Sequence, residues 1–129
     1  EAGSVIFGIG TDIVKISRFD EMRSLESFAK KCLSIDELVL FGGLEGLKKP
    51  RYLAKQFCMK EAISKALGTG VRNEVTLPNM TILRDDLGKP IFIANNDLEI
   101  KMNNLGISKT HVSLADEKNY VVAFAILET

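Results

Sequence analysis

Two carboxylates in this sequence, Asp12 and Glu61, occupy positions that suit a metal ion. Asp12 directly follows GIGT (residues 8–11) at the end of a predicted buried strand, where tight turns place ligand groups. Glu61 lies on a predicted helix over residues 51–67, and at about 100° per residue it falls in a sector of small and apolar side chains. Magnesium binds few protein carboxylates, keeps waters and takes oxygens from substrate phosphates. The pair therefore predicts a magnesium site that serves a phosphate-containing ligand.

Lys65 follows Glu61 by one helical turn, and two interpretations of these charges stay open. The first is an i,i+4 salt bridge, which on an exposed helix contributes only about 0.2–0.5 kcal/mol. Two charges on an apolar face lose more solvation than such a pair recovers. The second interpretation, a bound cation or phosphate, explains the placement better.

The segment around this helix is strongly basic. Residues 48–72 carry seven Lys and Arg side chains against one Glu, in a chain with 17 basic and 17 acidic residues. This favours a polyphosphate ligand or an acidic partner, although a solvated helix face carries such charges too. Gly68, Thr69 and Gly70 end the helix, either as a simple C-cap or as bare backbone that accepts a base or a phosphate.

Other catalytic motifs are absent from the sequence. His111 and Ser113 alternate on a predicted strand and share a face, but no nucleophile elbow or third member completes a triad. GIG at residues 8–10 lacks the third glycine of a dinucleotide fingerprint, so a Rossmann domain is rejected. No metal-thiolate cluster, Walker A loop or H-E-x-x-H motif occurs.

The elements that position these residues form an α+β pattern, because its late hairpins require antiparallel pairing. Ser34 and Glu37 form the S-x-x-E pattern of a capping box, and two glycines in the first strand mark a close backbone approach. The sequence thus predicts a small mixed or antiparallel sheet with one long helix. The predicted strands are residues 5–10, 80–84, 90–94, 110–115 and 120–127, and the predicted helices are residues 13–28, 35–41, 51–67 and 97–105.

Composition limits the classes of protein to consider. The 129 residues, 46% hydrophobic with zero net charge, fit one domain over residues 5–129, and residues 1–4 are set aside as a candidate cloning remnant. The longest apolar run is eight residues, and no signal peptide opens the chain. Cys32 and Cys58 form no disulfide or metal pattern. These features predict a cytoplasmic protein and argue against disordered, membrane and nucleic-acid-binding classes.

Three segments extend this interpretation: GIGTDI (residues 8–13), FCMKEAISKALGTG (residues 57–70) and HVSL (residues 111–114). Together with LGKP (residues 87–90), they resemble holo-acyl-carrier-protein synthases, the short bacterial class of 4′-phosphopantetheinyl transferases. The resemblance covers the chain from Ile6 onward. It implies the fold of that superfamily and a role in fatty acid biosynthesis.

The resemblance implies transfer of 4′-phosphopantetheine from coenzyme A to a serine of an apo acyl carrier protein, with magnesium and with release of adenosine 3′,5′-bisphosphate. The base is either Glu61 itself or a water on the metal. Family members commonly have Arg where this chain has Gln56, and Lys55 is a candidate replacement as a phosphate contact. The implied roles are metal binding by Asp12 and Glu61, phosphate contact and catalysis by Lys65, coenzyme A binding by Gly68, Thr69, Gly70, Lys89, Pro90 and His111, and carrier-protein binding by Arg18 with Met22.

Two further expectations concern partners. Arg18 and Met22 are four residues apart on the predicted first helix, a face that suits an acidic, partly apolar helix. The last strand, residues 120–127, is apolar on both faces and predicts an oligomer; a homotrimer with shared sites follows from the resemblance alone. Two alternatives remain open: a non-catalytic module that only docks carrier proteins, and a metal-free coenzyme A-dependent acyltransferase.

Overall fold

The computed structural model describes residues 3–129. Its helices and strands follow the predicted order, with a longer first strand and two short helices after it. In chain order the elements are β1 (Ile6–Lys15), α1 (Ser17–Asp20), α2 (Leu25–Cys32), α3 (Ile35–Gly42), α4 (Lys48–Ala66), a 3₁₀ turn (Leu77–Asn79), β2 (Met80–Arg84), β3 (Pro90–Ala94), α5 (Asn96–Asn104), β4 (Lys109–Asp116) and β5 (Tyr120–Glu128).

The main sheet is antiparallel and has the strand order β1-β5-β4. Helix α4 crosses one face of it so closely that a Cβ at Gly8 or Gly10 would overlap the carbonyl oxygen of Ala66 or Ala62. The prediction that these glycines permit a close approach is confirmed, and the group approached is the backbone of α4. This contact fixes the distance between β1 and the helix that carries Glu61.

The predicted hairpin of β2 and β3 is confirmed at both boundaries. Asp85 shapes its turn, because one carboxylate oxygen accepts hydrogen bonds from the backbone N–H groups of Leu87 and Lys89 at 2.9 Å. Gly88 has φ +88°, a conformation that side chains with a Cβ rarely adopt. The turn therefore presents Lys89 and Pro90 at the tip of a separate two-stranded sheet.

The predicted strand over residues 5–10 and helix over residues 13–28 are wrong in extent. Strand β1 continues to Lys15, and Ile13 pairs with Val122 of β5. Apolar residues at intervals of three produced the helical pattern, but Ile13 lies on the open face of the sheet while Ile16 and Phe19 enter the core. Two short helices, α1 and α2, replace the predicted long one.

A buried polar network fixes α4 against the elements on its other side. Glu37, held by the predicted capping box, accepts hydrogen bonds from Lys60 Nζ at 2.5 Å, from Gln56 Nε2 and from the backbone N–H of Ile82. Lys60 Nζ also donates to the carbonyl oxygens of Cys32 and Leu77. Because every donor of the ammonium is paired, this buried charge is tolerated and ties α4 to α2, α3 and the 3₁₀ turn, while Gln56 and Glu37 bond to β2.

The second face of the main sheet is open and apolar. Ile9, Ile13, Val122 and Phe124 are 59%, 63%, 40% and 42% exposed there, whereas the alternate residues of β5 are buried against α4. The prediction that β5 is apolar on both faces is therefore confirmed. Within residues 3–129, every helix is too short or too polar to cross a membrane.

Candidate active site between the first strand and the long helix

Asp12 lies within β1, paired with Ala123 of β5, and not at a strand end as predicted. Residues two apart on a strand share a face, so Asp12 lies on the same side as Gly10 and Val14, which are buried under α4. Its side chain is 15% exposed. The extended strand thus places this carboxylate at the edge of the contact between β1 and α4.

Lys65 of α4 donates a hydrogen bond to Asp12, with Nζ 2.9 Å from Oδ1. The ion pair of Lys65 is therefore made with β1, 53 residues away in the chain, and the interpretation as an i,i+4 salt bridge with Glu61 is wrong. Three charged side chains from two elements meet here, as the sequence predicted for a ligand site.

The charges of this site influence one another. Burial raises the pKa of Glu61 above the ordinary value of a glutamate, and the negative charge of Asp12 raises it further. Lys65 and Arg18 partly offset this effect. The hydrogen bond to Asp12 raises the pKa of Lys65. Two carboxylates that repel each other are a favourable place for an added cation.

The donor set fits magnesium. Asp12 and Glu61 supply only oxygen ligands, and the ammonium of Lys65 already provides positive charge at one of them. Among residues 3–129 no third His, Cys, Asp or Glu joins them in a metal-binding group. An ion held by two carboxylates must complete its shell with waters or substrate oxygens, as magnesium does.

Arg18 lies beside the site because two aromatic rings hold it. Its guanidinium carbon is 5.4 Å from the ring centroid of Phe19 and 5.3 Å from that of Phe57. The prediction that Met22 shares a helix with Arg18 is wrong, because α1 ends at Asp20. Instead Met22 is half-buried and packs against the core, which leaves Arg18 as the exposed residue of the pair.

The glycine segment after α4 lies next to Lys65. Gly68 and Gly70 have φ of +83° and +67°, and the N–H of Gly70 donates to the carbonyl oxygen of Ser64. The predicted end of the helix is confirmed. Contact of this segment with a ligand stays a prediction.

The chain does not bring His111, Lys89 and Pro90 to the carboxylates. His111 pairs with Ile126 and lies on the open face of the main sheet, opposite to Asp12, with Nε2 2.6 Å from Glu128 Oε2. Lys89 and Pro90 lie at the hairpin of β2 and β3. Within one chain the predicted coenzyme A residues therefore form separate groups.

A cavity of about 740 Å³ opens between α3, α4 and β2, away from Asp12 and Glu61. Its walls are mainly apolar, and four basic residues line it: Lys48, Arg51, Lys55 and Arg84. Sequence reasoning proposed Lys55 but missed Arg84, because only the fold brings β2 beside α4. Lys55 Nζ lies 3.5 Å from Asp116 Oδ2. Gln56 is buried, and its amide nitrogen donates hydrogen bonds to Glu37 and to the carbonyl oxygen of Ile82.

Comparisons with known proteins match nearly the whole chain. The profile of the 4′-phosphopantetheinyl transferase superfamily matches residues 8–125. The holo-[acyl-carrier-protein] synthase of Vibrio parahaemolyticus is 43% identical over 126 residues, which cover 96% of this chain and 98% of that protein. The one from Dechloromonas aromatica is 44% identical over the same shares of both chains.

Solved structures agree with these sequence matches. Holo-[acyl-carrier-protein] synthase from Neisseria meningitidis superposes with a TM-score of 0.89 at 38% identity, over 97% of this chain and all of that one. The Bacillus anthracis enzyme in complex with CoA (3′,5′-ADP) gives 0.81 at 34% identity, over 96% and 97% of the two chains. Agreement of this extent shows that the chain belongs to the holo-acyl-carrier-protein synthases of the 4′-phosphopantetheinyl transferase superfamily.

Proposed function

We propose that this enzyme transfers 4′-phosphopantetheine from coenzyme A to a serine of an apo acyl carrier protein, depends on magnesium and releases adenosine 3′,5′-bisphosphate. The observation that carries the proposal is the pairing of Lys65 with Asp12 beside Glu61. Carboxylates that can hold a metal ion, together with an ammonium beside them, suit the charge stabilisation on which phosphoryl transfer depends. The Bacillus anthracis and Helicobacter pylori relatives, solved with CoA (3′,5′-ADP) and with coenzyme A, support the choice of donor.

In the proposed reaction, the serine oxygen bonds to the phosphorus that carries the pantetheine arm, and the bridging P–O bond breaks. Asp12 and Glu61 would hold the magnesium ion, which when bound offsets charge on the pyrophosphate oxygens. Lys65 donates hydrogen bonds to the same phosphates. Glu61 accepts the serine proton, directly or through a water, and the bisphosphate departs with the electrons of the broken bond.

We infer further that the active site is shared between subunits of a homotrimer. Three copies would cover the open apolar face of the main sheet, including Ile9, Ile13 and Phe124, which a lone chain leaves in water. His111 lies on that face, so packing of a second copy there could bring it toward another subunit's Asp12 and Glu61. The number three comes from the family resemblance.

Coenzyme A is expected to contact basic residues beyond Lys65. Lys89 and Pro90 at the hairpin tip are proposed contacts, as are Gly68, Thr69 and Gly70 beside Lys65. The rim formed by Lys48, Arg51, Lys55 and Arg84 is a further candidate for the nucleotide phosphates, because the cavity it lines combines apolar walls with positive charge.

The carrier protein is expected to approach Arg18. Its exposed guanidinium stands on the rings of Phe19 and Phe57 beside Glu61, so an acidic partner that docks there would present its serine to the site. Met22 is proposed to contribute only an apolar border, because it is half-buried.

The proposal is tested by incubating the protein with apo carrier protein, coenzyme A and magnesium and measuring the intact mass of the carrier protein. We expect a gain of one phosphopantetheine that chelation of the metal prevents. Binding of the carrier protein without any mass gain would favour the non-catalytic docking module. Acyl transfer from an acyl-coenzyme A without metal would favour the acyltransferase.

A further inference from the structure

The ammonium of Lys65 is hydrogen-bonded to Asp12, one of the carboxylates that the proposed function assigns to the metal. Lys65 Nζ lies 2.9 Å from Asp12 Oδ1, and among the contacts of residues 3–129 this is the one salt bridge made by Asp12. The Asp12 side chain is 15% exposed and that of Lys65 is 52% exposed. The cation therefore reaches a mostly buried carboxylate from the solvent side.

The two cations near the carboxylates differ in how they are held. Arg18 stacks on Phe19 and Phe57, so leaving the site would break its contacts with two rings. Lys65 makes its one side-chain hydrogen bond to Asp12, within the described part of the chain, and its long side chain is half in water. An ion pair whose lysine is half-exposed regains water when it opens, so Lys65 is the cation that can leave at the lower cost.

We infer that Lys65 and the divalent cation compete for Asp12, so that binding of the metal releases the lysine toward the substrate's phosphates. This inference rests on the proposed function, which assigns Asp12 and Glu61 to the metal. Without metal, Lys65 and Arg18 balance the charges of Asp12 and Glu61. A divalent cation bound at Asp12 would add two positive charges while the displaced ammonium stays nearby, and an anionic pyrophosphate would neutralise this excess.

If Lys65 competes with the metal, removal of Lys65 changes the metal affinity in the direction opposite to that expected if Lys65 supports the site. If Lys65 only helped to assemble the site, its removal would weaken metal binding. If it competes, its removal strengthens metal binding in the free enzyme, while the transfer rate still falls because the phosphate contact is lost. A phosphate ligand that draws Lys65 away from Asp12 would likewise strengthen metal binding in the wild type.

The test is the affinity for Mn²⁺, measured by electron paramagnetic resonance of the free ion with no substrate present. We expect Lys65→Met to bind Mn²⁺ roughly two- to fivefold more tightly than the wild type, as the loss of a weak competing ion pair implies. Lys55→Met is the matched control, since Lys55 is on the same helix but pairs with Asp116. Lys55 precedes Lys65 by about 15 Å along the axis of α4. At about 0.15 M salt, charges beyond roughly 8 Å are screened, so this control should match the wild type.

A second measurement follows the lysine directly. In spectra of the Lys side-chain ammonium groups, the signal of Lys65 should shift when Mg²⁺ is added, whereas that of Lys60, enclosed by Glu37 and two carbonyl oxygens, should not. Unchanged or weaker Mn²⁺ binding in Lys65→Met, equal strengthening in Lys55→Met, or a Lys65 signal that ignores bound Mg²⁺ would overturn the competition. Metal binding that survives in Asp12→Asn would overturn the metal assignment as well, whereas carrier-protein modification by the wild type tests the proposed function separately.

Discussion

Asp12 shows what residue type and spacing can and cannot predict. The sequence identified it and Glu61 as a pair because carboxylates near apolar surroundings suggest a ligand. It could not show that Lys65 bonds to Asp12 instead of Glu61, since that contact joins β1 to α4 across 53 residues of chain. Spacing along the helix favoured Glu61 as the partner of Lys65, whereas tertiary packing makes Asp12 its partner.

We predict that Asp12→Asn reduces metal-dependent transfer by on the order of a hundredfold or more, because an uncharged amide is a poor ligand for a hard cation. The change preserves the shape of the side chain and its place beside Ala123. Initial rates of carrier-protein modification, with a thermal melt as a folding control, provide the measurement. A folded variant with nearly normal activity would contradict the metal assignment.

The two cysteines should be unreactive in the folded protein. Burial raises the pKa of Cys32 to about 12 and that of Cys58 to about 12. At pH 8, well below these values, both are neutral thiols, and alkylation requires the thiolate. We expect iodoacetamide to leave the native protein active and unlabelled and to label both residues in denaturant. Rapid labelling of the native protein at pH 8 would show that this part of the core opens.

At the level of elements, the hairpins, the capping box and the long helix could be predicted because turn residues and helix caps are local signals. The first helix could not be predicted correctly. Ile13 is an apolar residue on the open face of the sheet, where it is 63% exposed. Its spacing of three from Ile16, and of three again to Phe19, is also the spacing of an amphipathic helix. An exposed apolar residue on the open face of β1 thus gave that strand the spacing of a helix.

Close packing of β1 on α4 gives a prediction at Gly10. A Cβ there would overlap the backbone of Ala62 and Ala66, so Gly10→Ala must push β1 away from α4 and separate Asp12 from Glu61. We expect a loss of about 1–3 kcal/mol in the free energy of unfolding and a lower transfer rate. Gly42→Ala is the control, because no atom lies within 4 Å of its added Cβ. Equal stability of the two variants in urea would contradict this packing.

Helix α1 gives a prediction about the carrier protein. Because Arg18 lies near Glu61, a Glu in its place would also disturb the metal site, so Arg18→Gln is the cleaner change. We expect the KM for the carrier protein to rise several-fold and the KM for coenzyme A to stay constant. Arg23→Gln, an exposed change outside α1, is the matched control. An equal rise in both KM values would instead assign Arg18 to the nucleotide site.

For the whole molecule, the apolar residues on both faces of β5 could predict that a second face of the sheet needs cover. They could predict neither the number of subunits nor the arrangement of those subunits. The fold adds that Asp12 and His111 lie on opposite faces of one sheet. A site that uses both is easier to build from two copies than from one. The number three comes from the family resemblance, and on that basis we expect light scattering to give the mass of three chains, against 14.2 kDa for one.

The most direct measurement is complementation between two inactive variants, Asp12→Asn and the double variant Lys89→Ala/His111→Ala, coexpressed so that they form mixed oligomers. If the site is shared as proposed, one subunit of such an oligomer would supply Asp12 and Glu61, and its neighbour would supply His111 and, from the separate hairpin of β2 and β3, Lys89. We expect each variant alone to leave the mass of the carrier protein unchanged and the mixture to add phosphopantetheine. Mixed oligomers that assemble yet stay as inactive as either variant would contradict a phosphopantetheinyl transferase site shared between subunits.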